Sequence, residues 1–496
     1  MKSTISIPKS SPIIPAIASL AVGILAGMIA LKLGKPLLIV GAMMGIVLAI
    51  ASVSRIEWAL GVFAFVIYTA LSDVLASSHN LPPIVWPLVG LLLLAALLRW
   101  ILFNQQEEPA PLHNSLRPIL YLASYVVLCV ASLMWSADMT NNLVELSRMS
   151  QGVIIVTTVL IIMKNESAYL KVLWGLLFAG IFLGSIGVYQ FFTKTFSNTY
   201  WGFAVSKMRM ITMHVHNYRL TGPLGDPNFF GQIMVVLIPM AAERFWNERR
   251  VVMKAIAAWA AVVCALAVVF TYSRGAFLTG VFMGGMLLMR VKHRFVYIAA
   301  AIVLALIAIP LLPEQYTQRM MTIIPGMDTD QAPDAAVRGR ESELKCGLLM
   351  LADHPLLGVG YGNYPYYYQH YAQRVGLDAR LADRSAHNLY METAAEGGML
   401  GLVLFGSLLG WMVLGVRRCI KYLKETRQLA RASLISGFYF GIIGYLVSAI
   451  FLHISYPRFF WLLIGVGLAI PRAFTKPNDI VVEDLKTNAE PLTDIR

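Results

Sequence analysis

Apolar runs of 18 residues or more recur along most of this chain, and nothing else constrains it as strongly. A helix of about 20 residues crosses a hydrocarbon core of about 30 Å, and in lipid every backbone polar group must be satisfied within the span. A transmembrane barrel would instead show alternating strands of about 10 residues. The runs here are continuous, so the chain is read as an all-α polytopic membrane protein. Composition agrees: of 496 residues, 58% are hydrophobic and 14% are charged, against about 25% charged in soluble domains.

Spans are expected at 12–31, 36–53, 57–76, 82–103, 118–135, 149–163, 169–192, 228–243, 251–271, 275–290, 295–313, 386–416, 431–452 and 456–474. The runs at 149–163 and 228–243 are short and suit tilted, broken or re-entrant segments. The total is about 12–14 transmembrane helices, with one large extracytoplasmic loop between late spans. The first run lacks a cleavage site after it and reads as an uncleaved span. The chain then divides into N-terminal spans of unassigned role (1–117), the first part of a catalytic bundle (118–313), the large loop (314–385), the last part of the bundle (386–474) and a disordered cytoplasmic tail (475–496).

The net charge of +13 would suggest nucleic acid in a soluble protein. Here the basic residues collect in alternate loops: Arg244, Arg249, Arg250 and Lys254; Arg290, Lys292 and Arg294; Arg417, Arg418, Lys421, Lys424, Arg427 and Arg431. Such loops stay cytoplasmic, which puts both termini inside and gives no reason to invoke nucleic acid. Lys32 and Lys35, in the first outer turn, are a minor exception. Cys129, Cys264, Cys346 and Cys419 form no disulfide framework and no metal-ligand spacing. No metal and no cofactor is expected.

The outer face is left with Trp135-Ser136-Ala137-Asp138, the loop 193–227, the turn Thr271 to Gly275 and the large loop. Arg219 stands in a Gly- and Pro-rich loop that runs to Asn228. Arg274 stands between two spans beside Gly275, and Arg340 follows Arg338-Gly339. Arginine is permanently charged and its planar fork matches phosphate oxygens in pairs. His387 opens a late span after Arg384-Ser385-Ala386, and an ionisable group at a membrane mouth is a functional candidate. The plainer reading of Asn388 is a helix cap. Gly397 and Gly401 make a GxxxG spacing that suits close helix packing. Tyr361, Tyr364, Tyr366, Tyr367, Tyr368 and Tyr371 suit an interfacial aromatic belt or, alternatively, sugar stacking.

Four stretches together resemble the family of O-antigen ligases and polymerases, membrane glycosyltransferases of bacteria. They are Arg219 to Asn228; Ser273-Arg274-Gly275; Arg340 followed by His354-Pro355-Leu356-Leu357-Gly358-Val359-Gly360; and His387-Asn388, nine residues, Gly398, two residues, Gly401. Trp135-Ser136 fits the same pattern. The last spacing is the ligase hallmark. Members typically have fewer spans than are counted here, which leaves the N-terminal ones as extras.

The resemblance implies transfer of a glycan from an undecaprenyl-diphosphate-linked donor to an acceptor hydroxyl. The site would face the periplasm or exterior of the bacterial cytoplasmic membrane. The implied partners are the lipid-linked oligosaccharide donor, a lipid or glycan acceptor and membrane lipids. It implies Arg219, Arg274 and His387 as catalytic residues, and Arg340, Arg338, Asn388, Asn228, Tyr361 and Tyr364 as substrate-binding ones. Gly397, Gly398 and Gly401 would be its structural motif. A repeat-unit polymerase is the alternative within the family; an anion transporter of bicarbonate type is the alternative outside it. A transporter would bring charge to the midplane, whereas the outer arginines and His387 sit at span ends.

Overall fold

The computed structural model describes residues 55–103, 113–212, 215–289, 295–296, 299, 335–377, 383–453 and 457–475. The expected spans 12–31 and 36–53, most of 295–313, the basic loop 290–294, residues 314–334 and the tail lie outside them. Every other expected span corresponds to a helix or helix pair. In order these are α1 (Ile56–Tyr68), α2 (Leu71–His79), α3 (Val85–Phe103), α4 (His113–Ala131), α5 (Met139–Ile162), α6 (Glu166–Thr193), α7 (Pro227–Asn247), α8 (Val251–Phe270), α9 (Arg274–Leu288), α10 (Ala335–Asp353), α11 (Tyr364–Val375), α12 (Leu389–Glu425), α13 (Leu429–Ser448) and α14 (Pro457–Phe474). Among the described residues, 8 helices are long and apolar enough to cross a membrane, or 9 if a bent pair is counted as one span. The chain is an all-α polytopic membrane protein.

Three expectations are corrected. The span expected at 149–163 is not short: α5 starts at Met139, capped by Asp138, whose side chain accepts from the Asn141 N–H. Its first turns carry Glu145 and Arg148, which hide the helix from a hydropathy reading. The span at 228–243 is likewise whole, with 21 residues in α7. The broken span is the one at 57–76, where α1 and α2 meet at 50° around Ala70, a left-handed residue. A short hairpin, β1 (Lys207–Thr212) and β2 (Val215–Arg219), sits in the loop before α7.

One continuous apolar core joins α1, α3, α5, α6, α7, α12, α13 and α14. It runs across the boundary expected at 117. Gly61 and Gly175 let α1 and α6 cross backbone to backbone: a Cβ on Gly175 would lie 2.2 Å from the Gly61 carbonyl oxygen. The Tyr68 hydroxyl then donates to the Ile233 carbonyl of α7. A second small core, built from Cys346, Met350, Val359, Tyr364, Tyr368, Tyr371 and Ala395 among others, lies under α10 and α11.

Candidate active site

The N-termini of α7, α9 and α12 and the C-termini of α8 and α13 meet at one end of the bundle. The chain joins them there. The Leu220 N–H donates to the Phe270 carbonyl at 3.1 Å, which lays the loop after β2 across the end of α8. The Leu389 N–H donates to the Ala449 and Leu452 carbonyls at 2.9 and 3.0 Å, which ties the start of α12 to the end of α13. On α7, Gly231 leaves room for α9, since a Cβ there would lie 2.8 Å from that of Ala276. Helix N-termini carry partial positive charge and unpaired N–H groups. This end is therefore suited to anions before any side chain is counted.

Arg219 is 4% exposed. Its Nε donates to the Thr271 carbonyl at 2.7 Å, one of the carbonyls left over at the end of α8. Its terminal nitrogen donates to Asn228 Oδ1 at 3.3 Å. Asp226 caps α7 by accepting from the Asn228 and Phe229 N–H groups at 2.8 and 3.3 Å. Arg274 is the first residue of α9, whose cap is Ser273. Gly275 beside it packs against Phe451, which a Cβ would approach to 3.2 Å.

The large loop contributes α10. Arg340 is pulled below the usual guanidinium range by burial first and by the Arg274 charge second; Glu343 and Asp226 oppose this, and Arg384 adds to it. Arg340 thus sits within the field of two other arginines. Arg338 is exposed on the same helix; two residues apart means about 200° around the axis, so it points away from Arg340.

Glu343 is fully buried, with one oxygen 2.6 Å from Arg384 and the other 3.1 Å from His387 Nδ1. His387 Nδ1 also hydrogen-bonds the Ser385 carbonyl at 3.1 Å. A carbonyl only accepts, so Nδ1 carries a proton, and in the neutral ring Nε2 is then the nitrogen with the lone pair. The His387 side chain is 30% exposed and its φ is +45°. A left-handed non-glycine residue costs on the order of 1–3 kcal/mol and persists where its surroundings hold it. Here the next residue fixes it: Asn388 Oδ1 accepts from the Tyr390 and Met391 N–H groups, both at 3.0 Å. Asn388 is a helix cap, as the plainer reading had it.

His453 was missed by the sequence reading, although it too stands at the end of a span. Its ring lies edge-on to His387 with centroids 5.1 Å apart, and Phe229 covers another side at 5.3 Å. Burial, and secondly the charge of His387, push the His453 pKa down to about 3. The unfolded chain, near 6.5, therefore binds the extra proton between about pH 3 and 6.5. Stability is complete above 6.5 and falls below it by up to about 1.4 kcal/mol per pH unit. Thermal melts of the detergent-solubilised protein should drop between pH 6.5 and 5. His453→Gln should flatten that slope; an unchanged slope would remove His453 as its cause.

The glycine motif is corrected. Gly397 and Gly401 do not form a tight helix seam. A Cβ on Gly397 would lie 4.0 Å from Leu128, and one on Gly401 no closer than 3.5 Å to anything. The essential glycine is Gly398, where φ +64° and ψ −165° break α12. The turn Pro355 to Gly360 lies in that break. The Met399 N–H donates to the Pro355 carbonyl, and the Val359 and Gly360 N–H groups donate to the Ala395 and Glu396 carbonyls, at 2.8, 2.9 and 3.0 Å. The Gly358-Val359-Gly360 motif and the His387 to Gly401 motif are two halves of one interlock.

Tyr364 is corrected as well. It is fully buried, its N–H donates to Glu396 at 3.1 Å, and its hydroxyl donates to the Glu343 carbonyl. It braces the helix that carries Glu343 and offers no face to a sugar. Tyr361 is partly buried and lines a small enclosed pocket with Ser132, Leu357 and Glu396.

Residues 259–406 match the family model described as O-antigen ligase. Over that segment the chain is similar to the O-antigen ligase family. The matched segment contains Arg274, Arg340, Glu343, Arg384, His387 and all three motif glycines, so it holds most of the cluster. Arg219, Asp226, Asn228 and His453 come from outside the matched segment and complete it. The domain is that of ligase- or polymerase-type glycan transfer in a membrane. A search of curated proteins gave no match.

Proposed function

We propose that the protein transfers a glycan from an undecaprenyl-diphosphate-linked donor to an acceptor hydroxyl at the outer face of the cytoplasmic membrane, without a metal ion. What supports this is Glu343, which contacts His387 and lies in the field of Arg340, itself in the field of Arg274, at the end where three helix N-termini meet. The opposite end of the bundle carries Arg249, Arg250, Arg417, Arg418, Lys421 and Lys424, which supports a cytoplasmic assignment for that end.

His387 Nε2 takes the proton of the acceptor hydroxyl. The oxygen attacks the anomeric carbon, and the bond from that carbon to the diphosphate breaks. Negative charge grows on the leaving diphosphate, and Arg274 and Arg340, both partly exposed, stabilise it. Buried Arg219 adds a fixed positive charge and holds Asn228 in place. Glu343 lowers the energy of the imidazolium that forms at His387 and keeps its ring oriented, as a buried carboxylate does for a catalytic histidine elsewhere.

The test is to incubate the purified protein with an undecaprenyl-diphosphate-linked oligosaccharide and candidate acceptors, the donor itself included. Release of the lipid diphosphate is expected. Product size then separates a ligase, which hands the glycan to a different acceptor, from a polymerase, which extends the donor. No release with any acceptor, together with anion uptake into vesicles, would replace this proposal with a transporter.

A further inference from the structure

Two features of the sequence are not used by the reaction: the Trp135 to Asp138 turn and the run of tyrosines after Tyr361. The fold brings them to one place. Asp138 and Asn141, at the start of α5, form one wall of an open groove; Pro365, Tyr366 and Gln369, on α11, form the other; Asp383 closes one end. The groove holds about 510 Å³, within the range of about 300–1,000 Å³ usual for small-molecule sites.

The walls are joined to each other. Asn363, just before α11, accepts from the Asp138 N–H at 2.8 Å and exchanges hydrogen bonds with Ser136. Asn141 Nδ2 donates to the Gly362 carbonyl. Gln369 donates to Asp383 at 2.7 Å. The groove is therefore preformed. Tyr364, Tyr368 and Tyr371 are buried, whereas Tyr366 is 56% exposed and stands edge-on to Tyr367 at 5.2 Å. Of the tyrosines in this run, Tyr366 is the one that offers a flat face to a ligand at this groove.

The lining decides the class of ligand. Two carboxylates, two amides and a phenol can accept from and donate to many hydroxyls. Among the described residues no cation lines the groove, and the carboxylates oppose a phosphate. Asp383 stands four residues before His387, so the two are at most about 14 Å apart along the chain. A glycan whose reacting end sits at His387 reaches the groove with its next sugars.

We propose that this groove is a binding subsite for the uncharged sugars of the transferred or receiving glycan, with Tyr366 as its stacking platform. This rests on the glycan-transfer reading. The probe is the oligosaccharide freed by mild acid from the cell's own lipid-linked pool, which carries neither lipid nor phosphate. Binding is followed by ligand-observed NMR on the full-length protein in detergent. The wild-type protein should bind it, Tyr366→Ala should bind about tenfold more weakly, and Gln369→Ala should also bind more weakly. Inorganic diphosphate should not compete. Both residues lie on the surface side of α11, and a thermal melt checks that the variants fold. In turnover, the KM that rises in Tyr366→Ala tells whether donor or acceptor sugars lie there. No binding by the wild-type protein, unchanged binding by both variants, or competition by diphosphate would overturn the subsite. Tyr366-dependent sugar binding without transfer to any acceptor would instead leave the subsite standing and sink the glycan-transfer reading.

Discussion

His387→Ala and Arg274→Ala are each expected to lower transfer by about 100-fold or more while leaving folded protein at near-normal yield. The magnitude follows from the roles: a positioned general base contributes about 10²–10⁴-fold, and one donor to a developing negative charge about 10²–10³-fold. Folding does not need either group to be charged. His387 is held by its backbone, through the Asn388 cap and the Leu389 contacts to α13. Arg274 is a partly exposed first residue of a helix that Ser273 caps without it. Arg219→Ala is a different case, since it leaves the buried Thr271 carbonyl and Asn228 without their donor, and a loss of yield is expected with the loss of activity. Lipid diphosphate release per folded molecule, with size-exclusion profiles alongside, measures both quantities. Full activity in His387→Ala and Arg274→Ala would rule out the assigned roles.

The parts of this site that the sequence made legible are those governed by hydropathy and by unusual charge. Arg219, Arg274 and Arg340 stand out because the charge pattern puts them among the loops expected outside, where arginine has no cheap explanation, and the fold does bring Arg274 into the field of Arg340. Glu343 carries no such mark in the sequence. Its sequence neighbours, Glu341 and Lys345, form an ordinary exposed pair at 2.7 Å. Glu343 becomes the buried partner of His387 because α10 packs on α12, which local sequence does not announce. Tyr364 failed for the same reason: aromatic residues in an outer loop read as a belt or a platform until a second core is found beneath them. The start of α5 was lost because Glu145 and Arg148 interrupt the apolar run, although Asp138 with its cap was there to be read.

Gly398→Ala is expected to cost about 3 kcal/mol or more, while Gly397→Ala beside it should be nearly neutral. The backbone at Gly398, φ +64° and ψ −165°, lies in a region open essentially to glycine alone. Space forbids the change as well: a Cβ would lie 2.3 Å from the Leu356 carbonyl oxygen, a backbone atom held in the interlock and unable to withdraw. At Gly397 the nearest atom to a Cβ is the end of Leu128, 4.0 Å away, and alanine favours helix by about 1 kcal/mol over glycine. A helix seam of GxxxG type predicts the reverse order, with Gly397 and Gly401 sensitive and Gly398 tolerant. Yield and thermal midpoint of the three alanine variants in detergent separate the two. If the break is the essential feature, Gly398→Ala also loses transfer, because the segment it displaces is the first part of α12, and His387 stands at its head.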